Sequence, residues 1–213
     1  MKITNFLALG ICLLFGSCTM QKSTVQVNDK GTEWEWNKGT IVVKTPERPA
    51  GQESVIGLAL PKMEVVRVGF VGLGMRGPGA VSRFTYIPGT QIVALCDYEK
   101  ERAEKCQKYL KEASLPKAAV YSGDKGYEEL CKRDDIDLVY IATPHSHHYL
   151  HAKMCLEAGK NVLCEKAFTV NADQARKLFA LAKEKNLLIT EAIWTRYMPS
   201  RKMIDDIISS GVI

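Results

Sequence analysis

The residues with the clearest chemistry are three glycines in the stretch GLGMRG, residues 72–77. Gly72 permits a tight turn, Gly74 leaves room for a phosphate beside the backbone, and Gly77 lets a helix pack closely on a strand. The next residue is a proline, which suits the first turn of a helix. The N–H groups and the positive end of that helix dipole attract negative charge. The pattern predicts a pyrophosphate-binding turn; the alternative is a glycine-rich turn without a ligand.

An acidic residue, Asp97, stands twenty positions after Gly77, at the end of the apolar run 91–96. A carboxylate at this spacing binds the ribose hydroxyls in dinucleotide sites. It would repel a 2′-phosphate, so we predict NAD as the cofactor in preference to NADP. Arg76, which could reach a phosphate of either cofactor, and Met75 complete the contacts predicted for this turn.

A second chemical group is the stretch TPHSHH, residues 143–148, which with His151 contains all four histidines of the chain. His147 and His151 have the i,i+4 spacing of a metal-binding pair. No cysteine or acid stands close in sequence to complete such a site, so we predict no metal. We predict a loop beside the cofactor, with the next helix opening at residue 148. The predicted cofactor contacts of this loop are Thr143, Pro144, His145 and His148.

A third group, Glu165-Lys166-Ala167, follows the apolar run 161–164. A lysine at a strand end beside the cofactor could hydrogen-bond a substrate hydroxyl and help to remove its proton as hydride leaves. The alternative is a solvated surface pair of Glu165 and Lys166.

Alternating strand and helix patterns must position these groups. A parallel, doubly wound α/β sheet follows from that alternation, and ligands bind such sheets at the carboxyl ends of the strands. A short strand is also expected at residues 40–43. The predicted strands of the sheet are 65–71, 91–96, 118–121, 136–142, 161–164 and 187–190, and the predicted helices are 99–113, 125–132, 148–158, 171–185 (capped by Asn171) and 200–209.

The first residues have the pattern of an export signal. Lys2 supplies a positive start, residues 6–15 are apolar, and Gly16-Ser17 precede Cys18. This pattern is similar to a bacterial lipoprotein signal, so we expect a signal peptide at residues 1–17 and a lipid on Cys18. The mature chain would then be anchored to a cell-envelope membrane on the periplasmic side, through a tether and arm at residues 18–63. A plain secretory signal is the alternative.

The composition argues against a nucleic-acid partner, but it does not decide the oxidation state of the cysteines. The 213 residues carry a net charge of +5, without a basic block interleaved with aromatics, so we expect no nucleic-acid partner. Five later cysteines have no C-x-x-C spacing, and we expect buried free thiols, although disulfides remain possible outside the cytoplasm. These cysteines are Cys96, Cys106, Cys131, Cys155 and Cys164.

From about residue 68 to 199 the chain resembles the Gfo/Idh/MocA oxidoreductases. The motifs that carry the resemblance are GFVGLGMRG, VALCD, IATPHSHH, AGKNVLCEKA and EAIWTRYMP. The family has Glu-Lys-Pro where this chain has Glu165, Lys166 and Ala167, and its lysine contacts the cofactor and is catalytic. The resemblance therefore implies NAD binding at residues 64–192, with Glu165 and Lys166 in contact with the cofactor and Lys166 also as the catalytic residue. The implied substrate is a sugar or polyol.

Two branches of the family match different parts of the chain. Residues 48–142 closely resemble exported bacterial NAD-dependent α-N-acetylgalactosaminidases, which oxidise the sugar transiently, eliminate the glycoside, add water and return the hydride. From His145 onward the chain resembles the dihydrodiol dehydrogenase and glucose–fructose oxidoreductase branch, and Lys166 favours this second branch. We therefore expect a hydride-transferring oxidoreductase first and a glycosidase as the alternative.

The family also has a second, open-faced α+β domain that carries substrate contacts and usually the oligomer interface. We expect residues 193–213 to begin that domain and the chain to be truncated within it, so that an oligomer would need the missing part. A non-catalytic NAD-binding fragment is therefore a third interpretation.

Overall fold

The computed structural model describes residues 26–27, 33–37, 40–43 and 59–211. The predicted signal peptide and Cys18 lie outside the described residues. The chain divides into two compact units, one of residues 57–203 and one of residues 1–56 with 204–213. In the second of these, β1 (Gln26–Val27), β2 (Glu33–Asn37) and β3 (Thr40–Val43) pair antiparallel in that order. The strand predicted at residues 40–43 is therefore confirmed.

The larger unit contains a six-stranded sheet in which every pairing is parallel. Its order is β6-β5-β4-β7-β8-β9, so the chain starts in the middle, builds one side, and returns to build the other. This is the predicted doubly wound α/β sheet, with its switch point between β4 and β7. The strands are β4 (Val66–Val71), β5 (Thr90–Asp97), β6 (Ala119–Ser122), β7 (Leu138–Ile141), β8 (Asn161–Cys164) and β9 (Ile189–Glu191).

Helices connect these strands across both faces of the sheet. The helices are α1 (Gly77–Phe84), α2 (Lys100–Glu112), α3 (Gly126–Cys131), α4 (His145–Glu157) and α5 (Ala172–Glu184), followed by a 3-10 helix (Trp194–Tyr197) and α6 (Pro199–Ser209). Asn171 caps α5 as predicted, because its side chain accepts a hydrogen bond of 2.9 Å from the N–H of Gln174. No helix in the described ranges is long and apolar enough to cross a membrane.

The start of α4 differs from the prediction. The helix begins at His145, three residues before the predicted start at His148. Pro144 is the N-cap residue, and its carbonyl accepts a 2.8 Å bond from the N–H of His147. The first turn is polar and faces solvent, so no apolar residue marked it as part of the helix.

The core has two layers, one on each face of the sheet. One face of β4, β5 and β7 packs on α3, α4 and α5 through residues such as Leu130, Leu156 and Leu178. The other face packs on α1 and α2 through residues such as Val81 and Leu110. These two layers cover both faces of the sheet and so position the strand ends at which the site loops begin.

An ion pair joins the two halves of the sheet at its amino-terminal end. The Arg67 guanidinium, on β4, donates to both carboxylate oxygens of Asp137 at 2.9 and 2.6 Å, and the Arg67 N–H adds a third bond of 2.8 Å. These bonds hold the pKa of Asp137 below its ordinary value. The pair fixes the register of β4 against the start of β7.

Candidate functional site

A cleft of about 1270 Å³ opens at the carboxyl ends of β4, β5, β7 and β8. It gathers the three chemical groups of the sequence, which are up to 94 positions apart (residues 72 to 166), into one site. The predicted residues that line it are Gly72, Gly74, Met75, Arg76, Asp97, Thr143, Pro144, His145, His148, Glu165 and Lys166. Gly77 is the one predicted contact outside this lining; it is buried where α1 begins.

Two glycines of the turn are required by the packing of the chain itself. Gly72 has a φ of +91°, and a Cβ there would lie 2.6 Å from the backbone of Ala142 and Thr143. A Cβ on Gly77 would lie 2.0 Å from the carbonyl oxygen of Gly72. The turn can therefore close only with glycine at both positions.

Gly74, the third glycine of the turn, is needed for a different reason. A Cβ on Gly74 would meet only Nη1 of Arg102, at 3.9 Å, so the protein leaves this space open. Glycine at this position preserves an open approach to the backbone from the cleft. This is the space that a pyrophosphate needs, so the turn fits a dinucleotide.

The N-terminus of α1 has the charge distribution that favours a phosphate. Arg76 is the N-cap residue, its side chain forms no capping bond, and no acidic residue lies in the first turn. Met75 beside it is 97% exposed and lines the cleft. The helix thus presents its N-terminal N–H groups and a nearby guanidinium to an anion, and Met75 adds an apolar surface.

Asp97 is held at the end of β5 and itself holds the glycine turn. It is 6% exposed, and its Oδ2 accepts a 2.6 Å bond from the N–H of Leu73. Its Oδ1 accepts from the N–H of Glu99 at 3.0 Å and lies 3.4 Å from Nη1 of Arg102. Oδ1 thus already has two donors, whereas Oδ2 has one and keeps a second lone pair that can accept from a ribose hydroxyl. The anchoring of the turn was not foreseen from the sequence.

Two histidines join the loops that were predicted separately. His148 is fully buried, with Nδ1 2.7 Å from the carbonyl oxygen of Ala167 and Nε2 2.8 Å from that of Thr143. His145 places Nε2 3.0 Å from the carbonyl oxygen of Lys166. The α4 histidines therefore fix the Lys166 loop against the end of β7. His148 is a positioning residue, bonded on both sides within the protein.

His147 and His151 do not converge on a shared point. Their rings stack with centroids 5.7 Å apart, and Nδ1 of His151 lies 3.0 Å from Oγ1 of Thr143. Burial, with smaller effects from His147 and His148, lowers the pKa of His151 to about 4. No group of three His, Cys, Asp or Glu side chains suited to a metal occurs within the described ranges.

Glu165 and Lys166 have contrasting surroundings. Glu165 is 7% exposed, and its Oε1 accepts a 2.7 Å bond from the Tyr140 hydroxyl, whose pKa is raised by burial and by this carboxylate. Lys166 is exposed and lines the cleft, and its peptide bond to Ala167 is cis. The two are therefore not a solvated surface pair. Glu165 is a buried, hydrogen-bonded carboxylate, and the neighbouring Lys166 is exposed to a ligand in the cleft.

Several lining residues were not predicted. They are Tyr98, Arg102, Gly123, Asp124, Tyr127, His147, Leu150 and His151, with Val71, Cys96 and Ala142 at the strand ends. Arg102 had the only usable signal, because it stands in the first turn of the helix after Asp97. The strand order places Asp97 on one side of the glycine turn and Lys166 on the other.

Residues 66–192 match the model of an oxidoreductase family with an NAD-binding Rossmann fold, Gfo/Idh/MocA. The chain belongs to this family. The glycine turn, Asp97 and the Lys166 loop are therefore parts of an NAD-binding oxidoreductase domain, and NAD fits the site at the level of the family.

Curated relatives of this family are much longer. Glycosyl hydrolase family 109 protein 4 of Phocaeicola vulgatus is 65% identical over 182 residues, which are 85% of this chain and 35% of that protein. Glycosyl hydrolase family 109 protein 1 of Bacteroides thetaiotaomicron is 58% identical over 139 residues, 65% of this chain and 30% of that protein. The chain thus spans about a third of the length of these relatives.

Solved structures of reductases share the fold. KijD10, a 3-ketoreductase from Actinomadura kijaniata crystallised with NADP and TDP-benzene, is 30% identical with a TM-score of 0.62. The match covers 70% of this chain and 43% of that one. In that relative, the shared fold therefore binds a nicotinamide dinucleotide.

Proposed function

We propose that this chain binds NAD and serves the transfer of hydride between a hydroxyl carbon of a sugar or polyol and the nicotinamide. The observation that supports this proposal is the single cleft that joins the glycine turn, Asp97 and Lys166. NAD supplies the acceptor and donor of hydride when it is bound. The residues of the chain supply binding, orientation and proton transfer.

The roles of these residues follow from their surroundings. Asp97 orients the ribose hydroxyls while it holds the turn through Leu73. Lys166, exposed in the cleft, hydrogen-bonds the substrate hydroxyl and moves its proton. Glu165 is fixed by Tyr140, and His148 is bonded to the carbonyl oxygen of Ala167, so the backbone that carries Lys166 is held in place.

A substitution of Lys166 tests the proposal. Lys166→Met in an active full-length form should lower the rate of NADH formation with free sugars by about 10²-fold or more, because a general base contributes that much. NAD affinity, measured by calorimetry, should fall by no more than about threefold (under 1 kcal/mol), because the glycine turn and Asp97 hold most of the cofactor. Lys153→Met is the matched control, because Lys153 is exposed on α4 and pairs with Glu157. Unchanged turnover in Lys166→Met would contradict the role assigned to the lysine. NAD binding without any turnover in the unsubstituted full-length form would leave only a binding function.

A second candidate is an NAD-dependent α-N-acetylgalactosaminidase in which the hydride is returned to the sugar. The names of the relatives favour it, because proteins 65% and 61% identical are glycosyl hydrolase family 109 proteins. Incubation of a full-length form with an α-N-acetylgalactosaminide separates the two candidates. Release of sugar without accumulated NADH supports the glycosidase, and accumulation of NADH supports the dehydrogenase.

We also propose that the chain is exported and anchored to a cell-envelope membrane by a lipid on Cys18. The support is the sequence pattern of a charged start, an apolar run and Gly16-Ser17-Cys18. Intact mass of the membrane-extracted protein should show cleavage before Cys18 and an added lipid, and Cys18→Ser should abolish both. Cleavage at another position without a lipid would favour a plain secretory signal.

A further inference from the structure

Two cysteines meet at the interface between α3 and α4. The Sγ atoms of Cys131 and Cys155 are 3.4 Å apart, and the side chains are 5% and 1% exposed. One helical turn earlier on each helix, the rings of Tyr127 and His151 meet with centroids 4.5 Å apart. The two helices therefore face each other in register at two successive levels.

The other described cysteines do not have such a partner. Cys96, one residue before the end of β5, and Cys164, at the end of β8, lie in the same core layer, and Cys106 lies on α2 in the opposite layer. Burial raises the pKa of Cys96 and of Cys164 to about 12 and that of Cys106 to about 11. Among the described cysteines, 131 and 155 are the pair whose sulfur atoms are in contact. The structure thus distinguishes one pairing that the sequence left open.

We propose that Cys131 and Cys155 form a disulfide when the chain folds in an oxidising compartment. The two thiols lose two protons and two electrons, and the oxidant is a disulfide of a small thiol or of an exchange enzyme, which is reduced to two thiols. A disulfide bond is about 2.0 Å long, so the two sulfurs, now 3.4 Å apart, must approach by roughly 1.4 Å when the bond forms.

The exchange passes through a mixed disulfide. The thiolate of one of the two cysteines attacks the oxidant and releases the first small thiol, and the sulfur of the other cysteine then displaces the second small thiol. Because both sulfurs are buried in the folded chain, this exchange belongs to folding, before α3 packs on α4.

Refolding of the full chain tests the proposal. Refolding with a couple of reduced and oxidised glutathione should give a 131–155 cross-linked peptide, 2 Da lighter than the sum of its two reduced peptides, in a non-reducing digest. The oxidised form should melt roughly 5–10 °C above the form refolded in excess dithiothreitol, since the bond closes a loop of 24 positions. Oxidised glutathione added to the folded, reduced chain should produce the bridge more slowly.

Matched variants separate the bridge from a general effect of buried cysteines. Cys131→Ser should lose the cross-linked peptide and the difference in melting temperature, whereas Cys106→Ser, a buried cysteine without a sulfur partner, should retain both. If either serine variant fails to fold, peptide mapping of the unmodified chain still decides. Alkylation of both thiols after oxidative refolding, or a cross-link of either to another cysteine, would overturn the assignment.

Discussion

Replacement of Gly74 with alanine isolates the space that the glycine turn leaves for phosphate. The added Cβ would contact only Nη1 of Arg102, at 3.9 Å, and the φ of Gly74 lies outside the left-handed region. The folded chain therefore accommodates the methyl group, and we expect the free energy of unfolding to change by less than about 0.5 kcal/mol. The same methyl group occupies the approach of a pyrophosphate to the backbone.

The loss of NAD affinity can be estimated from the cost of an added methyl group in a filled site. Overpacking costs about 1–3 kcal/mol, which corresponds to a dissociation constant about 5- to 150-fold weaker. Calorimetry with NAD measures the affinity, and a urea titration measures the stability of the same preparation.

Two other glycines provide matched controls. Gly77→Ala should destabilise the fold by about 3 kcal/mol or more, because its Cβ would lie 2.0 Å from a backbone oxygen. Gly79→Ala, where the Cβ would meet only the flexible side chain of Arg83 at 3.3 Å, should leave NAD affinity unchanged. An affinity of Gly74→Ala within twofold of the parent chain would show that no phosphate lies over this turn.

Three further predictions concern the anchoring and titrating groups. Asp97→Ala should cost about 1–3 kcal/mol in a urea titration, because the buried N–H of Leu73 loses its acceptor, and calorimetry should show NAD affinity falling more than NADP affinity. His151 has a pKa lowered from 6.5 to about 4, so the unfolded chain takes up a proton that the folded chain does not. Stability should therefore be full above about pH 6.5 and fall by up to about 3 kcal/mol towards pH 4. Urea titrations across this range should show a much smaller decline for His151→Gln and only a slightly smaller decline for His147→Gln, because His147 has a minor effect on this pKa. Asp137→Asn should cost about 1–3 kcal/mol in a urea titration, because Asp137 loses its charge-assisted bonds, and calorimetry should show unchanged NAD affinity, because the residue lies at the opposite end of the sheet.

Local patterns predicted the elements of the sheet well. The strand predicted at 161–164 agrees with β8 at both ends, and the cap of α5 was identified by its asparagine. The apolar run before the glycine turn and the acid at the end of the next strand were enough to predict two parts of the cleft lining. These features lie within short segments, so their physical causes can be seen in the sequence.

Features that depend on the three-dimensional arrangement could not be predicted. The bonds of Arg67 to Asp137 join residues 70 positions apart, and they exist only because β4 lies beside β7. The burial of His148 between two loops depends in the same way on the neighbouring strand β8. The start of α4 was misplaced because three polar residues carried no periodic signal. Contacts between neighbouring strand ends become visible only when the strand order is known.

Because of the strand order, a ligand in the cleft would lie between two halves of the sheet and contact both. Strands β4 to β6 carry Gly74 and Asp97, strands β7 to β9 carry the Lys166 loop, and the parts share one strand-to-strand border. A dinucleotide that fills the cleft would contact both sides of this border, so separating them would also require its release. At a free concentration of about a hundred times its dissociation constant, NAD would raise the free energy of unfolding of the domain by about 2.7 kcal/mol. Occupancy by NAD is therefore expected to protect the chain against unfolding as well as to prepare it for chemistry.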